Sequence, residues 1–169
     1  MSVRPLAFLP LTTAVICGLL LAGCNRNSDS TETSLSEPTA SPASKTGWLT
    51  SYEQGQQEAQ ASHKLILLDF TGSDWCGWCK LLDREVFSQP QFIEYASKNL
   101  VLVEVDFPKR KRMAPEVRNQ NLQLAMRYQV QGFPTIVVLN QDGEKVGELG
   151  YMEGGPAVFI AQLERFRKG

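Results

Sequence analysis

The residues best able to do chemistry form one short run, Trp75-Cys76-Gly77-Trp78-Cys79-Lys80. Two cysteines at this spacing can close a disulfide, supply half of a metal site, or exchange electrons with another disulfide. If the run opens a helix, both sulfurs lie on one face, one turn apart. Cys76 then sits near the helix's positive end and its free N–H groups, which stabilise a thiolate and lower its pKa. Cys76 is therefore expected to be the exposed nucleophile, and Cys79 the shielded thiol that resolves a mixed disulfide. A zinc site needs about four ligands. Beyond this pair the folded part offers only His63, just before an apolar run, so no metal site is expected. Transient binding of a soft metal, as in a copper carrier, stays open. A purely structural disulfide closing so short a loop would contribute little.

What the pair does depends on compartment, and that is written at the N-terminus. The chain has 169 residues, 43% of them hydrophobic, with a formal net charge of −1. This suits one globular domain with flanking segments. Neither a basic excess for nucleic acid nor a strongly acidic tail is present. Residues 1–23 carry one charge, Arg4, then an apolar core from Ala14 to Ala22 and small residues before Cys24. The core is too short for a comfortable membrane span and reads as a signal peptide. Leu21-Ala22-Gly23-Cys24 resembles the lipobox of bacterial lipoproteins. That resemblance implies cleavage before Cys24, diacylglycerol on its thiol, and an acylated N-terminus with the several chains that stable anchoring needs. Cys17 would leave with the signal and Cys24 would be blocked, so Cys76 and Cys79 remain as an isolated pair. Residues 24–46, rich in Ser, Thr, Pro and Glu, cannot bury enough surface to fold and read as a lipidated, disordered tether. The expected location is outside the cytoplasm, lipid-anchored to a bacterial membrane and facing the periplasm or the exterior.

Residues 47–169 must position the pair. Trp48 to Ser62 has helical spacing. Lys64 to Phe70 and Leu100 to Phe107 are apolar runs, as expected of strands buried on both faces. Between them Thr71 to Asp74 reads as a turn, and Cys76 to Phe87 and Gln89 to Asn99 as helices. Pro108 to Asn119 reads as a polar, basic loop containing Lys109-Arg110-Lys111-Arg112. Leu122 to Tyr128 closes a helix. Thr135 to Asn140 and Lys145 to Tyr151 form a hairpin around Gln141-Asp142-Gly143. Gly155 to Lys168 is an amphipathic helix with Val158, Phe159, Leu163 and Phe166 on its apolar face. The order predicts an α/β fold, a central mixed sheet of about four or five strands flanked by helices on both faces.

Together, the cysteine motif and Gln131-Gly132-Phe133-Pro134-Thr135 resemble the thioredoxin fold family over nearly all of residues 47–169. The resemblance implies that Pro134 is a cis-proline packed against the motif and that Phe133 offers backbone hydrogen bonds to substrate. It implies that Asp69 is the buried acid that helps deprotonate Cys79, although Asp69 stands one residue further from Cys76 than in typical thioredoxins. Asp69 could also simply cap the turn, and Asp74 reads as solvated. FTGSDWCGWCKLLDREVFSQPQF is similar to the exported thioredoxin-like domains of thiol:disulfide interchange proteins. Trp78 replaces the proline common there in thioredoxin itself. Trp75, Gly77 and Trp78 are expected to form the surface that docks substrate. The resemblance implies a protein-disulfide reductase without a cofactor, its electrons held by the Cys76–Cys79 pair. Its partners would be protein disulfides and a membrane electron-relay protein, with no nucleic acid, and the chain is expected to be a monomer. The alternatives are an oxidase or isomerase of the same fold, or a tethered binding or copper-carrying module.

Overall fold

A computed structural model of the chain describes residues 45–168. The expected signal peptide, the lipidation site Cys24 and the tether as far as residue 44 lie outside the described residues. Four strands form one mixed sheet in the order β2-β1-β3-β4. They are β1 (Leu65–Thr71), β2 (Leu100–Asp106), β3 (Thr135–Leu139) and β4 (Lys145–Leu149). β1 pairs parallel with β2 and antiparallel with β3, and β3 pairs antiparallel with β4.

Being central, β1 is buried on both faces, which is why its sequence is continuously apolar. Its alternating side chains feed two cores. Leu67 packs with Leu82, Phe87, Phe92, Phe159 and Leu163 on one face. Ile66, Leu68 and Phe70 pack with Ala59, Leu124 and Tyr128 on the other. The first face is covered by α2 (Gly77–Leu82), α3 (Pro90–Asn99) and α5 (Gly155–Lys168), the second by α1 (Tyr52–Ser62) and α4 (Pro115–Arg127). Past α2 the helix widens into a π turn, Asp83–Phe87, closed by the Ser88 N–H on the Asp83 carbonyl at 2.8 Å.

Several boundaries differ from the sequence expectation. The first helix begins at Tyr52, because Leu49 is extended and bridges Val103 beside β2. Ser51 caps the helix, its side chain accepting from the Gln54 N–H at 3.2 Å. Lys45, assigned to the tether, is part of the domain: its carbonyl accepts from the Trp48 N–H at 2.9 Å, and Trp48 is buried against Phe87. The loop expected to run to Asn119 ends at Ala114. Pro115 at the first helical position and Glu116 in the first turn start α4 there. Its polar side chains have tertiary partners that hydrophobic periodicity does not register. Gln120 accepts from the Tyr52 N–H and donates to the Thr50 carbonyl, both at 2.9 Å. In α5, Phe159 and Leu163 are core residues, but Val158 is 41% exposed and turns away from it.

α1 crosses β2 at Gly55, where a Cβ would stand 2.6 Å from Val103 Cγ2. Gly55→Ala is therefore expected to destabilise by about 1–3 kcal/mol despite alanine's better helix propensity. A lower urea midpoint would show this; a raised midpoint would mean that the helix shifts without cost.

Candidate active site

The turn after β1 places the cysteines. The Gly72 carbonyl accepts from the Trp75 and Cys76 N–H groups at 3.1 and 2.8 Å, folding the chain back before α2 begins. A Cβ at Gly72 would stand 2.5 Å from the Trp75 ring, so this tight turn requires glycine. Cys76 is the N-cap of α2, and its sulfur accepts from the Cys79 N–H at 3.2 Å. That donor is one of the orphan amides of a helix N-terminus, the group expected to steady a thiolate. Cys76 and Cys79 are joined in a disulfide, their Cα atoms 5.3 Å apart.

The expected contrast between an exposed Cys76 and a shielded Cys79 is absent in this oxidised state: they are 6% and 5% exposed. Once bonded, each sulfur occupies the other's open side, so exposure no longer separates them. The surrounding surface is open instead. Trp75 is 37% and Trp78 60% exposed. The Trp75 ring meets Phe133 edge-on, centroids 5.8 Å apart, and its Nε1 donates to the Phe107 carbonyl at 2.8 Å. The Phe133–Pro134 peptide is cis. Trp78 lies against Tyr151 at 5.2 Å, and the Tyr151 hydroxyl donates to Glu85 at 2.8 Å. Gly77 opens α2 with free space where a side chain would stand. Trp75, Gly77, Trp78 and Phe133 thus share one rim around the disulfide.

Asp74 is not merely solvated. Its carboxylate accepts from the backbone N–H groups of Lys109, Arg110 and Lys111 at 3.0, 2.6 and 3.2 Å. Those donors, Lys109 first, hold its carboxyl below the usual range. The basic loop is thereby fastened beside the cysteines, with the Lys109 ammonium 3.9 Å from the Trp75 ring centroid. The charge run is visible in the sequence but its position is not, because Asp74 and Lys109 meet only in three dimensions. His63 bonds Gln141 at the hairpin, on exposed surface away from the motif.

Asp69 is 2% exposed. By strand alternation it points to the same side as Leu67, the face that α2 covers. Burial drives its carboxyl from 3.8 up to about 7; Lys45 opposes this, and Glu104 and Asp83 add to it. Glu104 is its register partner on β2, also raised by burial. The Lys45 ammonium reaches Asp83 at 2.8 Å, Asp69 at 3.6 Å and Glu104 at 3.7 Å. Asp83 follows Cys79 by one helical turn, so this cluster runs beneath the disulfide-bearing helix. Lys45 carries no sequence signal for this role, since its partners come from three distant elements.

Residues 52–167 match the family described as Thioredoxin-like domain. The chain belongs to this family. A Chlamydia pneumoniae protein named disulfide bond reductase DsbH is 34% identical to this thioredoxin-like chain over 114 residues, 68% of this chain and 69% of the relative. A solved structure titled DsbH Oxidoreductase superposes with a TM-score of 0.69 at 31% identity, covering 86% of this chain and 95% of that one. The thiol:disulfide interchange protein DsbD of Campylobacter jejuni is 32% identical over 105 residues, 62% of this chain but only 17% of that longer protein. Among the described residues no helix is long and apolar enough to cross a membrane.

Proposed function

We propose that this protein is a membrane-tethered, extracytoplasmic thiol:disulfide oxidoreductase that reduces disulfides of exported proteins. The observation that carries this reading is a Cys76–Cys79 disulfide closed at a helix N-cap, within a rim of exposed aromatic rings. The reductase direction is supported by the similarity to the protein named a disulfide bond reductase.

In the reduced protein the Cys76 thiolate attacks one sulfur of a substrate disulfide. A Cys76–substrate disulfide forms, and the other substrate sulfur leaves as a thiolate. Cys79 gives its proton to Asp69 and attacks Cys76 Sγ. The Cys76–Cys79 bond closes and the second substrate sulfur is released. Two electrons have then passed from the protein's pair to the substrate. A membrane relay protein returns them by the same exchange in reverse. Trp75, Trp78 and Phe133 supply apolar docking area, and the backbone at Phe133 and Pro134 aligns the substrate segment. Lipid on Cys24 and the tether behind it keep the domain near its membrane.

The direct test is to mix the fully reduced chain with a disulfide-bonded protein and alkylate free thiols over time. Substrate thiols should appear as Cys76 and Cys79 become protected from alkylation. Loss of protein thiols without gain of substrate thiols would contradict the reading.

The fastened basic loop adds a preference for acidic segments near the target disulfide. With an acidic peptide disulfide, kcat/KM should fall several-fold as salt rises, since exposed charges are screened. Arg110→Glu with Arg112→Glu should erase that slope and favour a basic peptide instead. Equal rates for acidic and basic peptides in the unmodified protein would remove the loop from recognition.

A further inference from the structure

Lys45 lies outside the residues that match the family, at the end of the segment read as tether, yet it reaches the most buried acid of the domain. Among the described residues, Asp69 Oδ1 has no hydrogen-bond partner, while Oδ2 pairs with the Lys45 ammonium at 3.6 Å. Asp83 from the end of α2 and Glu104 from β2 converge on the same ammonium. The lysine is held there by rings, 5.0 Å from the Trp48 centroid and 5.5 Å from that of Phe87. Among the described residues, three carboxylates therefore converge on the ammonium of Lys45, supplied from outside the core of the fold.

Two cavities meet at this side chain. One, of about 190 Å³, is lined by Lys45, Glu104, Asp106 and Lys111. The other, of about 410 Å³, is lined by Lys45, Asp83, Trp48 and Phe87. Lys45 lines both and Asp69 lines neither.

We propose that Lys45 is a positioning residue of the redox centre: its ammonium lets Asp69 become ionised beneath α2, ready to take the proton of Cys79. This rests on the reading that Asp69 receives that proton. Electrostatics supports it. Without the cation, Asp69, Asp83 and Glu104 are like charges, and a buried carboxyl among them holds its proton to higher pH. Asp106 adds further negative charge next to Glu104 and Lys111 opposes it, so Lys45 is the cation closest to the buried pair among the described residues. Although burial alone would depress Lys45, the charges of Asp69, Asp83 and Glu104 outweigh it and keep the ammonium protonated.

The test is a rapid-mixing experiment on the reduced full chain carrying Cys17→Ser and Cys24→Ser, with dithiobis(nitrobenzoate). Attack by Cys76 releases one thionitrobenzoate, and attack by Cys79 on the mixed disulfide releases the second. The pH dependence of the second release reports proton removal from Cys79. Lys45→Met should move the acid limb of that profile upward by about one pH unit or more, with about a tenfold loss at neutral pH, while the first release stays unchanged. Lys45→Arg should restore the limb. Glu104→Gln should move it downward and carries the test if Lys45→Met does not fold. A K45M limb that stays in place while only thermal stability falls would make Lys45 a structural residue, and so would an unmoved limb in Glu104→Gln. Asp69→Asn separates the two claims. If it leaves the limb intact, the underlying reading of Asp69 fails. If it removes a limb that K45M does not shift, only the role of Lys45 fails.

Discussion

Cys76→Ser is expected to lower disulfide-reducing turnover on the order of a thousandfold or more, because it removes the attacking sulfur itself. Cys79→Ser should behave differently. The first attack still occurs, but the Cys76–substrate disulfide cannot be resolved from within the protein, so the covalent complex accumulates. The asymmetry follows from placement at the helix. Cys76 is the N-cap, and its sulfur receives the Cys79 amide, so negative charge is stabilised on Cys76 rather than on Cys79. Non-reducing electrophoresis of each variant after incubation with a disulfide-bonded protein reads both outcomes. A trapped adduct with Cys76→Ser and none with Cys79→Ser would invert the assigned roles. No adduct with either would leave the exchange mechanism without support.

Asp69→Asn is expected to make the protein more stable and less active. An acid whose carboxyl is raised from 3.8 to about 7 contributes its full stability only below pH 4. That contribution is lost as pH rises through 7, because the folded state must then hold a buried anion. The gap corresponds to about 4 kcal/mol at pH 8, with the opposing pull of Lys45 already counted in it. Asparagine removes the loss, so the variant should gain several kcal/mol over the parent at pH 8 and almost nothing at pH 4. Denaturant unfolding at both pH values measures this. At neutral pH the same change should slow the resolving step on the order of a hundredfold, a typical loss for a general base. A variant less stable at pH 8 would show that the Asp69–Lys45 attraction outweighs burial. Unchanged resolution would remove Asp69 from the mechanism.

Legibility of the fold followed the reach of the signals. β1 and β2 were plain because strands buried on both faces are written as continuous apolar runs. The hairpin between β3 and β4 is plain from Gln141-Asp142-Gly143; Asn140, which reads as the end of the strand, belongs to the turn, its side chain accepting from the Asp142 and Glu144 amides. The cysteine pair and the Gly-Phe-Pro-Thr segment were visible as motifs. What escaped was built from polar contacts between elements far apart in sequence. Lys45 reads as one more hydrophilic residue after a disordered stretch until Asp69, Asp83 and Glu104 surround it. The start of α4 was hidden because Gln120 and Asn121 are used for hydrogen bonds rather than for an apolar stripe. The cover over Cys76 also lay beyond the sequence, since exposure belongs to a redox state as well as to a position.

The most direct measurement is the reduction potential of the Cys76–Cys79 pair in the full chain, equilibrated against dithiothreitol or glutathione buffers and read by thiol alkylation. A reducing protein should lie near about −270 mV, where electrons flow from its dithiol to most exported disulfides. A value near about −120 mV would contradict the account and make the pair an oxidant of exported thiols.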